Sequence, residues 1–329
     1  MDKIEASRVG AWRKAGWVRV EFRENVPLAD FASYRIGGPA RVYCEPQSAA
    51  EVREGIAEAR RRGLRLFVLG AGTNLLIDDH GFDGLVLRPN LRVLDIEGTR
   101  VRVGAGLLVA EMLDRLVAEG LTGMEWAGGL PGTVGGAVRG NAGAFGGEIK
   151  DVTIQIESLD AATLELHTRE NAQCGFGYRD SVFKQRREEI ILTAMFALRS
   201  GAPSEIARVV EEKKDYRRRR HPLEYPNVGS IFKNVDIKQA PEPVRQRCAS
   251  VIKVDPFPVI PTAFLLSEAN LKGLREGGAM ISPKHPNFIV NIDHARSADV
   301  RKLIARAKET VWEQFGVKLE EEIQYVNGS

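Results

Sequence analysis

The chain has 329 residues, 43% of them hydrophobic and 28% charged, the make-up of an ordinary globular protein of two or three domains. Lys and Arg number 47 against 44 Asp and Glu, so a net charge of +3 gives no bulk field that would favour nucleic acid or a membrane surface. Cys44, Cys174 and Cys248 lie far apart with no C-x-x-C, which argues against a disulfide framework and a zinc site and points to a reducing cytoplasm.

Residues 1–25 are basic and irregular and lack an apolar core, so they read as an N-terminal extension and not as a signal peptide. No apolar run reaches membrane-spanning length. A strand over 40–45 leads into a helix in which Ser48 and Glu51 form a capping box, Val52, Ile56 and Ala59 share a face, and Gly63 closes the turn. RLFVL (65–69) reads as a buried strand ending in GAGTN. GLVLR, RVLDIEG and RVRVGAG are short strands, followed by a helix over 109–120 that Gly120 ends. A glycine-dense stretch, AGGLPGTVGGAVRGNAGAFGG (127–147), comes next. DVTIQIESLD and TLELHT form a hairpin, and IILTAMFAL (190–198) is another strand. A helix over 203–220 starts at Pro203 and ends in a charge run before His221-Pro222, the place for a domain boundary. A short helix in PTAFLLSEANL, strands in AMIS and FIVNI, an amphipathic helix over 297–316 and a last strand over 317–326 complete the chain. This mixed order argues for an α+β fold and against a doubly wound sheet.

Six stretches bear on chemistry. LGAGTNLL (69–76) has a G-x-G but lacks the third glycine of a dinucleotide fingerprint, so it is either a tight turn or a loop offering N–H groups to a phosphate. The glycine stretch interleaves Leu130, Val134, Ala137, Val138 and Phe145, unlike a polar linker, and suggests a packed loop whose bare backbone cradles a large ligand. In GFGYRDS (175–181), Arg179 offers a planar fork to a carboxylate or phosphate, or simply sits on a surface loop. In YPNVGSIFKN (225–234), Ser230 follows a glycine outside any G-x-S-x-G elbow, which leaves it a proton donor and not a hydrolase nucleophile. KKDYRRRRH (213–221) is a solvated helix face, or it neutralises a diphosphate or an RNA backbone. In the terminal LEEE, strand alternation puts Glu321 among Val317, Leu319, Ile323 and Tyr325, with Glu320 and Glu322 on the other face.

RIGGPA (35–40), LGAGTNLL, the GLPGTVGGAV…GNAGAFGGEI run (129–149), FGYRDS, YPNVGSIFKN, LKGLREGGAMISPKHPNFIVN (271–291) and LEEEI (319–323) occur in one order. Together they resemble the UDP-N-acetylenolpyruvoylglucosamine reductase family, in its shorter second type, over residues 25–326. The resemblance implies a two-part FAD-binding unit of the vanillyl-alcohol-oxidase type plus a smaller α+β substrate-binding domain. The expected divisions are an extension (1–24), FAD-binding subdomains (25–85 and 86–203), a substrate-binding domain (204–316) and a terminal strand returning to the active site (317–329).

It also implies the chemistry. NADPH reduces a non-covalent FAD, and the enolpyruvyl group of UDP-N-acetylglucosamine enolpyruvate then takes a hydride from flavin N5 at C3 and a proton at C2, giving UDP-N-acetylmuramate for peptidoglycan. On this resemblance Ser230 is the proton donor and Arg179 the cation on the enolate. Its L-E-P-E-V pattern makes Glu322 the terminal acid, in conflict with strand alternation. The pattern takes precedence, because a proline where Glu321 stands implies an irregular strand. FAD would lie on Gly70, Gly72, Thr73, Asn74 and Leu75, and on Gly129, Leu130, Pro131, Gly132, Gly136, Asn141 and Ala142. Tyr178, Arg217, Lys233 and Asn234 would hold the substrate. The family more often has glutamine at His221 and often serine at Asn227. No metal, nucleic acid or membrane is implied. Two other readings stay open: a sugar or alcohol oxidase on the same flavin fold, and a nucleic-acid binder using the 213–221 run.

Overall fold

A computed structural model describes residues 20–254 and 257–328; most of the expected N-terminal extension, residues 1–19, lies outside them. Residues 23–25, expected to be irregular, belong to strand β1 (Arg23–Pro27). Only Val26 in it is buried and Asn25 is left-handed, so no apolar alternation announced a strand. β1 pairs antiparallel with β2 (Pro39–Cys44). Helix α1 (Ala49–Arg61) starts as expected at Ser48, whose hydroxyl accepts from Glu51 N at 3.2 Å. The reciprocal half of the box is displaced, because Glu51 accepts from Gln47 N and not from Ser48 N.

β3 (Arg65–Val68), β4 (Leu75–Ile77) and β5 (Phe82–Leu87) follow. The first sheet has the order β1-β2-β5-β3, with β2, β5 and β3 parallel. β3 was expected to be buried. Its side chains are instead partly exposed, because it is an edge strand and forms one wall of the cleft described below.

The second sheet is antiparallel throughout. β6 (Leu94–Glu97) and β7 (Arg100–Gly104) precede helix α2 (Val109–Ala118) and the glycine run, which folds around a six-residue helix α3 (Val134–Arg139). β8 (Thr153–Asp160), β9 (Leu166–Glu170), the short α4 (Val182–Gln185) and β10 (Glu189–Ala197) complete it, in the order β9-β8-β10-β7-β6. Leu159, Ile190 and Leu192 reach across to pack with Val52 and Ile56 of α1, so the two sheets share apolar core. α5 (Pro203–Arg220) buries only Ile206 and Val210, both in the core of the second sheet, and ends in the basic run.

The remainder packs around α6 (Thr262–Glu268), a three-stranded antiparallel sheet of β11 (Arg275–Glu276), β12 (Ala279–Ile281) and β13 (Ile289–Asn291), and α7 (Ser297–Phe315). Val300, Leu303, Ile304, Ala307 and Val311 of α7 line this core, and Gly316, at φ 63°, ends the helix. Tyr34 and Ile36 from the first part of the chain are buried in it, and Tyr34 donates to Ile289 O at 2.8 Å. Asp79 accepts from Ser297 N at 2.8 Å, capping α7 from a distant segment.

The last strand is shorter than expected. Only β14 (Gln324–Val326) forms, parallel to β4. Val317, Leu319 and Ile323 still bury in the third core, but the acidic triplet between them leaves the regular ladder. Lys233 N donates to Glu320 O at 2.9 Å and Glu322 N to Ile231 O at 2.8 Å, so residues 320–322 lie along residues 231–233.

Candidate active site

A cleft of about 1900 Å³ runs between the three cores. Part of its lining is made of main chain. Residues 70–74 follow β3, and the N–H groups of Ala71, Gly72 and Thr73 have no hydrogen-bond partner among the described residues. Gly132, at φ 120°, presents a further such N–H from the glycine run. The glycines of that run serve two purposes. At Gly147 a Cβ would sit 2.3 Å from the Trp126 ring, so this glycine lets two segments touch. Gly136 and Gly140 instead turn bare backbone to the cleft, where an added Cβ would meet no atom closer than 3.5 Å and 3.6 Å. A row of free N–H groups over a Cβ-free floor suits an extended ligand carrying phosphates.

Another part is made of side chains and adjoins the first, since Asn74 Nδ2 donates to Glu322 O at 3.0 Å. Gly177 and Asp180 exchange backbone hydrogen bonds of 3.0 and 3.2 Å around a turn that carries Tyr178 and Arg179. Arg179 is left-handed, at φ 57°. Its Nε lies 2.7 Å from Glu322 Oε1, a close ion pair in which the N–H is not aimed at the oxygen. Ser230 follows Gly229, also left-handed, and precedes a segment pinned by Asn287: Phe232 N donates to Asn287 Oδ1 at 3.0 Å and Asn287 Nδ2 to Phe232 O at 2.8 Å. Because Glu322 N binds Ile231 O, Ser230, Glu322 and Arg179 are tied into one wall of the cleft.

Arg217 reaches the cleft from the last turn of α5. Its Nε donates to Gly128 O at 3.0 Å, while its Nη2 is buried without a partner among the described residues. Burial, and then Arg179 beside it, pulls its pKa down, so the site carries an excess of positive charge suited to an anion. Burial raises the Tyr178 hydroxyl, with Arg179 opposing, and the ring packs edge-on against Phe257 at 5.1 Å. His221 and His285 meet edge to face at 5.5 Å beside Phe288, and both are pushed down to about 4, first by burial and then, for His221, by Arg217 and, for His285, by Lys253.

The residues singled out from the sequence distribute unevenly. Gly70, Gly72, Thr73, Asn74, Leu75, Gly129, Leu130, Pro131, Gly132, Gly136 and Ala142 line the cleft, as do Ser230, Arg179, Glu322, Tyr178, Arg217 and Asn234. Asn141 does not. It is fully buried, donating to Glu148 Oε2 and Gly177 O and accepting from Lys150 N, and so stitches the glycine run to the Arg179 turn. Lys233 faces an adjoining recess of about 380 Å³ and pairs with Glu320. Glu321, the residue favoured by strand alternation, pairs with Lys308 at 2.7 Å and binds the Tyr325 hydroxyl, away from Arg179. Alternation failed there because residues 320–322 are not in a regular strand. Sequence reasoning missed Lys184 and Arg139, which both line the cleft; nothing marked them but the place of Arg139 inside the glycine motif and of Lys184 three residues past FGYRDS.

Residues 221–326 match a family model described as UDP-N-acetylenolpyruvoylglucosamine reductase, C-terminal domain, and residues 40–167 match one described as FAD binding domain. The UDP-N-acetylenolpyruvoylglucosamine reductase of Solibacter usitatus is 35% identical over 315 residues, covering 95% of this chain and 99% of its own. That of Enterococcus faecalis is 39% identical over 302 residues, covering 91% and 92%. The crystal structure of the Thermus caldophilus reductase matches with a TM-score of 0.73 at 30% identity, over 94% of this chain and 99% of that one.

Proposed function

This chain belongs to the UDP-N-acetylenolpyruvoylglucosamine reductase family, and from that premise we propose how its residues divide the work. It is an FAD-dependent oxidoreductase of peptidoglycan synthesis that uses NADPH to reduce UDP-N-acetylglucosamine enolpyruvate, on a two-part FAD-binding fold with a second domain. The cleft fits the cofactor: free main-chain N–H groups at 71–73 and 132 meet a diphosphate, and the Cβ-free floor at Gly136 and Gly140 admits a flat ring system. When bound, FAD supplies a two-electron store that accepts hydride from NADPH and passes it on.

The protein's part is binding, charge and a proton. Hydride addition at C3 of the enolpyruvyl group leaves negative charge on C2 and the adjoining carboxylate. Arg179 stabilises that charge, and Glu322, paired with it, holds the guanidinium in place as the enolate forms. Ser230, on the same wall, gives its hydroxyl proton to C2 and regains one from water. Arg217, with its unpartnered Nη2, and Asn234 and Tyr178 hold the nucleotide sugar, with Lys233 contributing from the adjoining recess. The substrate-binding unit begins at His221 and not at residue 204, because α5 packs on the second core. A cytoplasmic location suits a nucleotide-linked substrate and NADPH; among the described residues no helix is long and apolar enough to cross a membrane.

The observation that carries this reading is that Ser230, Arg179 and Glu322 line the same cleft as a row of unpartnered N–H groups. The test is anaerobic: reduce the flavoprotein with NADPH, add the enolpyruvyl UDP-sugar, and follow flavin absorbance. Prompt re-oxidation is expected. A flavin that stays reduced until air is admitted would favour an oxidase instead.

A further inference from the structure

We propose that Lys184 is a positioning residue for the reduction step, holding the Arg179 carbonyl so that the guanidinium stays beside Glu322 and within reach of the substrate carboxylate. The proposal rests on the reading of Arg179 as the cation on the enolate.

The turn that carries Arg179 is unfavourable by itself. Its third residue has φ 57°, a conformation that glycine or asparagine adopts readily and a long side chain does not. Such a turn persists only where its surroundings hold it. Four contacts do so here. Asn141 Nδ2 donates to Gly177 O at 2.9 Å, Gln185 Nε2 to Asp180 Oδ2 at 3.0 Å, Ser181 Oγ to Arg139 O at 2.7 Å, and Lys184 Nζ to Arg179 O at 2.7 Å. The first three fix the flanks. The fourth grips the left-handed residue itself, and by fixing its carbonyl it fixes ψ at Arg179 and keeps the turn from relaxing.

The choice of a lysine for this task needs an explanation, since a neutral donor would hold a carbonyl as well. Lys184 lines both the main cleft and the recess beside it. It has no carboxylate within ion-pair distance among the described residues. The charged groups facing it are Asp180 on the turn, Arg139 at the end of α3, Lys233 beyond the Ser230 segment and Glu322 on the terminal segment. Burial, followed by Lys233, lowers its pKa, and Asp180 and Glu322 offset part of this. An ammonium kept in that setting adds positive potential where the enolate carboxylate forms, while its hydrogen bond keeps the neighbouring guanidinium in place.

The test compares Lys184→Met and Lys184→Arg in the FAD-loaded enzyme, alone and with Arg179→Gln, measuring each half-reaction by stopped flow. Lys184→Met is expected to retain flavin and its reduction by NADPH while slowing re-oxidation by the enolpyruvyl substrate at least tenfold. Lys184→Arg restores most of that rate and moves the alkaline fall of re-oxidation to higher pH, which a purely structural role would not do. In the Arg179→Gln background, Lys184→Met costs clearly less than in the wild type, because only its own positive potential is left to lose. Equal losses in both backgrounds, or Lys184→Met at the wild-type rate while Arg179→Gln is slow, would overturn the proposal alone. Arg179→Gln at the wild-type rate would overturn the reading of Arg179, and the Lys184 proposal with it.

Discussion

In one part of the cleft Ala71, Gly72, Thr73 and Gly132 offer main-chain N–H groups from two loops held close by packing. In the other, Arg179, Arg217, Ser230 and Glu322 offer side chains from four segments spread over more than a hundred residues of sequence. The first part needs missing side chains and fixed backbone angles. The second needs specific side chains held by ion pairs and single hydrogen bonds. Substitutions should therefore fail differently in the two parts: the main-chain part by losing the cofactor, the side-chain part by losing rate while the flavin remains.

The sharpest break in the main-chain part is Gly72→Val. A Cβ there would lie 2.3 Å from Phe31 O at φ 63°, a clash with main chain added to a backbone strain of about 1–3 kcal/mol. The expected product is a protein without bound flavin, read from the ratio of visible to ultraviolet absorbance; normal flavin content would refute the cradle. In the other part, Glu322→Gln keeps the shape but removes the charge paired with Arg179. Full flavin content and substrate-driven re-oxidation slowed on the order of 10²-fold are expected, the loss that misplacing a group at the reacting centre can cause.

Asn141→Ala tests the joint between the parts. It strands buried partners on both the glycine run and the Arg179 turn, which should cost about 2 kcal/mol or more. A melting temperature lower by several degrees, with flavin still bound, fits a stitch; loss of flavin at unchanged stability would make Asn141 a cofactor contact. The smallest effect belongs to His221 and His285. Their pKa values fall from 6.5 to about 4 on folding. Between those values the unfolded chain binds protons that the native chain refuses, so stability declines as pH drops through that window. Replacing both by Gln should flatten the decline in denaturant titrations at pH 7 and pH 5.

The two parts also differed in legibility. Glycine density and the interleaved apolar residues revealed a packed backbone cradle directly, because composition is a local property. The long amphipathic helix over 297–315 and the antiparallel hairpin of β8 and β9 were equally local. The side-chain part was not local: Arg179, Ser230 and Glu322 meet only through tertiary structure, and only the family resemblance joined them beforehand. The choice between Glu321 and Glu322 shows the limit. Alternation assumes a ladder, and residues 320–322 leave it to lie along residues 231–233. β1 escaped notice for the converse reason, being a ladder strand without an alternating pattern.

The central claim, a cleft divided between backbone for the cofactor and side chains for the reacting substrate, meets its most direct test in Ser230→Ala. The two half-reactions are measured separately and anaerobically on the purified flavoprotein. Unchanged flavin content and reduction by NADPH, with re-oxidation by the enolpyruvyl UDP-sugar slowed on the order of 10²–10⁴-fold, is the result expected. Re-oxidation at the wild-type rate would contradict the assignment of the proton to Ser230, and loss of the flavin would contradict the division itself.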